Sequence, residues 1–261
     1  MSDITLNYRS SELPAPARSG PAAMAGPLGL RATLGWGIAG YLAIMSTWLI
    51  DLMLHAVWGP GVQLPALFFL VPVGHIAAAA VVVIALRHCG RPLREYLALS
   101  PMGWGDVARG IGYGALGFVG LTMMFILIAL VQLAFGAAPS TAPTIVKLPF
   151  NMQTMMLLAS LWFLMAVAAP IVEEMLFRGL MYRGLAESRI GVVGAMLLTS
   201  VMFGLAHYPG FGWSRVIATG CIGMLFAWLR WYYGNTGIGM VAHAVTNVIG
   251  ASFLTFAVLA S

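Results

Sequence analysis

The chain has 261 residues, of which 61% are hydrophobic and only 8% charged, against about 25% charged in an ordinary soluble domain. The net charge of +5 does not mark a nucleic-acid binder, because the basic residues stand singly in loops rather than in the clustered stripe that phosphate contact requires. Apolar runs long enough to cross a bilayer as helices, about 20 residues each, recur without the alternation of β-barrel strands. The fold class is therefore an all-α polytopic membrane protein with about seven transmembrane helices, within limits of six to eight.

Residues 1–32, with the stretch SSELPAPARSGPAAMAGPLG, lack an apolar period and are rich in Pro, Ala, Gly and Ser. That is the composition of a flexible tail. The apolar runs lie at 33–58, 64–87, 108–136, 152–184, 191–207, 213–230 and 236–258, and together they make one helical domain, 33–258, with any active site inside the bundle. With a cytoplasmic N-terminus, that side receives Arg9, Arg18, Arg31, Arg87, Arg91, Arg94, Arg109, Arg183, Arg189 and Arg230. The outer side receives only Lys147 and Arg215. This is a positive-inside bias, and it points to an integral protein of the plasma (cytoplasmic) membrane.

In the first run Asp51 and His55 are four apart and can satisfy each other; His75 in the second reads as a packing histidine. The third opens with RGIGYGALGFVG, whose Gly110 and Gly114 form a small-residue face that lets another helix approach. The two cysteines, Cys89 and Cys221, give no disulfide framework.

The fourth run contains APIVEEMLFRGL at 169–180. Charges at membrane depth cost at least about 2.5 to 3.5 kcal/mol each unless paired or hydrated. Residues four apart share a helical face while neighbours diverge by about 100°. Glu174 and Arg178 are thus expected to pair within the helix, leaving Glu173 on another face as an unpaired carboxylate able to act as a general base. Pro170 is expected to kink the helix beside them.

The fifth run ends SVMFGLAHYPGFG, with Phe203 and His207 four apart, and the seventh begins GIGMVAHAVTNVIG, with His243 and Asn247 four apart. At 1.5 Å per residue, Glu173 and His207 lie at matching levels, roughly 22 and 25 Å from the turn between their helices. His243 is only about 14 Å in from that side, so a helix offset has to supply the rest. The zinc-protease signature HExxH, a GxGD aspartyl pattern and a serine in a GxSG context are absent from the sequence.

Three motifs in order, Glu173-Glu174-x-x-x-Arg178, Phe203-x-x-x-His207 and His243-x-x-x-Asn247, resemble those of the CPBP (Abi) family. It comprises CAAX prenyl proteases of the Ras-converting type and bacteriocin-processing enzymes. The resemblance covers residues 173–247 and implies an intramembrane glutamic endopeptidase acting near the C-terminus of a membrane-associated or lipidated protein or peptide, prenylated for the CAAX enzymes. By position, Glu173 is the base that activates water, assisted by His207. His243 and Asn247 stabilise the oxyanion through neutral imidazole and amide N–H groups, and Glu174, Arg178 and Phe203 support the site. No cofactor is implied. The alternative is a zinc ion held by Glu173, His207 and His243, since two imidazoles and a carboxylate form a His2Glu set with one open position. The expected partners are that substrate and the lipid bilayer. A proton-coupled transporter, a bis-histidine haem protein and a non-catalytic immunity or scaffold protein remain open on the residues alone.

Overall fold

The computed structural model describes residues 28–58, 63–138, 151–208 and 212–260. The tail residues 1–27 and Lys147 lie outside these, as do the side chains of Asp51 and His55. In hydrocarbon every backbone N–H and C=O must bond within its own segment, and among the described residues the regular elements are all helical.

In chain order they are α1 (Leu30–Trp58), α2 (Gln63–His88), a short α3 (Leu93–Tyr96) and α4 (Trp104–Ala134). A composite helix follows: α5 (Met152–Phe163), a π-helical segment (Leu164–Ala168), α6 (Ala169–Glu174), a second π-helical segment (Met175–Met181) and α7 (Tyr182–Ala186). The chain closes with α8 (Gly191–Leu205), α9 (Gly212–Tyr233) and α10 (Thr236–Ala260). Among the described residues six of these stretches are long and apolar enough to cross a membrane. The fifth predicted run became α8, whose 15 residues reach only about 22 Å, less than a hydrocarbon core of about 30 Å.

The core is built on the composite helix: Leu176, Phe177, Leu180 and Met181 are fully enclosed and touch Val82 and Leu86 of α2, Phe203 of α8 and Phe226 of α9 through one buried cluster. The opposite faces are apolar and uncovered, as with Leu116, Val119 and Leu130 on α4, which suits contact with lipid. Cys89 and Cys221 are both free thiols.

Gly110 and Gly114 seat α4 directly on α10. A Cβ at Gly114 would stand 2.5 Å from the Ala242 carbonyl oxygen and 2.7 Å from Val245 Cβ, whereas a Cβ at the exposed Gly112 would meet nothing within 4 Å. Gly114→Ala is accordingly expected to destabilise by about 1–3 kcal/mol through overpacking, and Gly112→Ala to be neutral or mildly stabilising through helix propensity. Thermal unfolding of the two variants in detergent checks this; equal midpoints would contradict the packing.

The level of α10 resolves the offset that the sequence requires. Thr236 is fully buried: its amide donates to the Ala98 carbonyl (3.0 Å) and its hydroxyl to the Leu97 carbonyl (2.6 Å). Leu97 is itself enclosed, its side chain filling the space that a Cβ at Gly179 would need. The start of α10 is thus recessed into the bundle on the 97–100 loop, which lowers His243 to the level of Glu173.

Candidate active site

The composite helix supplies the carboxylates. Its two π-helical segments flank Ala169–Glu174, so the local widening is not a simple kink at Pro170. Segments of this kind release backbone groups and occur often at functional sites. Here the Met165 carbonyl, inside the first π-helical segment, accepts a hydrogen bond from Asn247 Nδ2 at 3.0 Å.

Glu174 and Arg178 form the predicted pair, with Nη1 donating to Oε1 at 3.1 Å and both side chains inaccessible. Arg178 Nη2 also donates to the Gly223 carbonyl at 2.8 Å. The guanidinium carbon lies 4.5 Å from the Phe203 ring centroid and 5.5 Å from that of Phe226, within cation–π range. Two glycines make the space: a Cβ at Gly223 would crowd Arg178 Nη2, and one at Gly239 would crowd Glu174 Oε2.

His243 joins this pair. Its Nδ1 lies 3.2 Å from Glu174 Oε1, an oxygen that already accepts from Arg178, so Nδ1 carries the hydrogen and donates. The ring is stacked on Phe226 at 4.9 Å and meets Phe203 edge-on. Nε2 is then turned to the other side, 3.9 Å from Glu173 Oε2. This revises the expectation of a neutral imidazole donor at the oxyanion: with Nδ1–H committed to Glu174, Nε2 can donate only when the ring is an imidazolium.

Glu173 is not the unpaired carboxylate read from helical phase. It is 7% exposed, and its Oε1 lies 3.0 Å from His75 Nε2 on α2. The reason is tertiary, since α2 packs against α6. Among the described residues Glu173 Oε2 has no hydrogen-bond partner.

A cavity of about 290 Å³ opens on this carboxylate, lined by Glu173, His75, His207, His243, Asn247 and Arg215 among apolar neighbours such as Leu164, Phe203 and Phe226. His207 lies just past the end of α8, in the turn, but its Nδ1–H donates to the Phe203 carbonyl at 2.8 Å. Its ring therefore still lies against Phe203, tilted, with centroids 5.0 Å apart. Phe203 is thus the common floor for Arg178, His207 and His243.

The structure gathers Glu173, His207, His243 and Asn247 on one cavity and places Glu174, Arg178 and Phe203 behind it. His75 is the lining residue that sequence reasoning set aside: it has no polar neighbour four residues away, and its partner is 98 residues distant. Among the described residues, no group of three or more His, Cys, Asp or Glu side chains is arranged to hold a metal ion.

Such a cavity combines a buried carboxylate, imidazole nitrogens and an amide, all in a low-dielectric wall. It has the parts for moving a proton from water and for stabilising oxygen-centred negative charge. Residues 155–249, which run from α5 into α10, match the family model described as type II CAAX prenyl endopeptidase Rce1-like. No curated protein and no solved structure gives a match.

Proposed function

Because residues 155–249 match the family model described as type II CAAX prenyl endopeptidase Rce1-like, we propose that this integral membrane protein is a peptidase that hydrolyses a peptide bond near the C-terminus of a membrane-associated, prenylated or otherwise lipidated protein or peptide. The observation that carries the reading is the buried carboxylate of Glu173, whose Oε2 accepts no hydrogen bond from the described residues, on a cavity shared with His207, His243 and Asn247.

In this mechanism a water sits between Glu173 Oε2 and the Nε2 of His207. Both side chains line the same cavity, and a water bridging two polar groups is nearly as favourable as a direct bond. Glu173 takes a proton as the water oxygen attacks the scissile carbonyl. His243, as an imidazolium donating from Nε2, and the second N–H of Asn247 stabilise the tetrahedral oxyanion. The proton held by Glu173 then passes to the leaving nitrogen as the C–N bond breaks. Glu174 and Arg178 keep the His243 ring in place, a second layer whose support is needed for sub-ångström positioning. The apolar walls are suited to a lipidated substrate.

The reaction runs without a metal. Purified protein in proteoliposomes, with an internally quenched prenylated peptide ending in a CAAX-type sequence as probe, is expected to retain its cleavage rate in excess chelator. Loss of cleavage in chelator, with recovery on adding zinc, would contradict this. The N-terminus faces the cytoplasm in this reading, on the strength of the arginine distribution.

A further inference from the structure

We propose that His75 is a positioning residue for Glu173: it anchors Oε1, so that Oε2 alone is presented to the cavity as the proton-accepting atom. The inference rests on Glu173 being the base, and it assigns a function to the N-terminal half of the bundle, since α2 lies outside the matched residues 155–249.

His75 Nδ1 lies 2.8 Å from the Val71 carbonyl oxygen. A carbonyl only accepts, so Nδ1 carries a hydrogen and donates it. His75 Nε2 and Glu173 Oε1 are 3.0 Å apart, and a contact of that length holds a proton, because two facing lone pairs would repel. A base must be ionised to accept, so in the working state the proton belongs to His75, and Nε2–H donates to Oε1. A charge-assisted bond of this kind is roughly twice as strong as a neutral one.

The carboxylate can no longer rotate to exchange its oxygens. Among the described residues its Oε2 is left without a hydrogen-bond partner, facing His243 Nε2 at 3.9 Å. Backbone packing fixes the anchor: a Cβ at the neighbouring Gly74 would stand 2.9 Å from the Ala43 carbonyl oxygen of α1, so α1 and α2 touch closely at this level. His75 itself is 5% exposed and has little freedom to leave.

Two variants separate anchoring from packing. His75→Gln keeps an N–H donor near the position of Nε2, whereas His75→Leu keeps bulk and removes the donor. With the quenched prenylated peptide in proteoliposomes, His75→Leu is expected to lower kcat by about 10- to 100-fold, the scale of a misplaced catalytic group, with KM nearly unchanged. His75→Gln is expected to recover most of that loss. Wild-type kcat in His75→Leu, or equal losses in both variants, would overturn the proposal.

A readout free of activity accompanies the kinetics. In protein labelled with nitrogen-15 at its five histidines, His75 Nε2 is expected to show the signal of a protonated, hydrogen-bonded ring nitrogen, displaced in Glu173→Gln. An unprotonated Nε2 in the wild type, or a signal indifferent to Glu173→Gln, would overturn the anchor whether or not the peptide is cleaved. Conversely, full cleavage by Glu173→Gln, together with a protonated His75 Nε2 in the wild type whose signal is displaced in the variant, would sink the general-base reading and leave the contact standing.

Discussion

Glu173→Gln is expected to reduce cleavage by about 10²- to 10⁴-fold, the contribution typical of a positioned general base, while the protein stays folded. The substitution is nearly isosteric, and the amide oxygen can still accept from His75. What it removes is the proton-accepting Oε2, which among the described residues has no hydrogen-bond partner. Steady-state rates of wild type and variant on the same prenylated probe, beside their unfolding midpoints, provide the check. A variant that cleaves within a few-fold of wild type would mean that another group activates water.

Arg178→Met carries the largest expected cost in stability. Arg178 and Glu174 are both 0% exposed, and removing one partner of a buried ion pair leaves the other charge uncompensated, a loss of about 3–5 kcal/mol. With it go the bond to Glu174, the bond to the Gly223 carbonyl and the cation–π faces on Phe203 and Phe226. His243 depends on the same Glu174 oxygen, so activity should fall together with the unfolding midpoint. The double variant Arg178→Met/Glu174→Gln should regain part of the stability, since no lone buried charge remains, but not the activity. If the single variant unfolded like wild type, the pair would have no structural weight.

How far the sequence could be read follows from the range of each interaction. The Glu174–Arg178 pair is local, four residues along one helix, and helical phase was enough to find it. Phe203 with His207 and His243 with Asn247 were found the same way, even though His207 proved to lie in the turn beyond α8. The apolar runs gave the helices, because the bilayer leaves the backbone no other option.

Glu173 lies beyond the reach of helical phase. Phase states which side of its own helix a residue occupies and nothing about what a distant helix brings there, and His75 comes from 98 residues away. The recess of α10 was visible only as a missing distance. Its cause, the docking of Thr236 on Leu97 and Ala98, depends on a loop with no periodic signal. Likewise, Asn247 meets the Met165 carbonyl inside a π-helical segment, and no residue type announces where a helix widens.

The most direct test of intramembrane proteolysis by Glu173 is a comparison, by mass spectrometry, of the C-termini of membrane proteins in cells carrying the wild-type chain or Glu173→Gln. A peptidase of this class predicts one or more C-terminally shortened species in wild-type cells that revert to full length in the variant. Identical C-termini in the two, with both proteins folded and equally abundant, would contradict it.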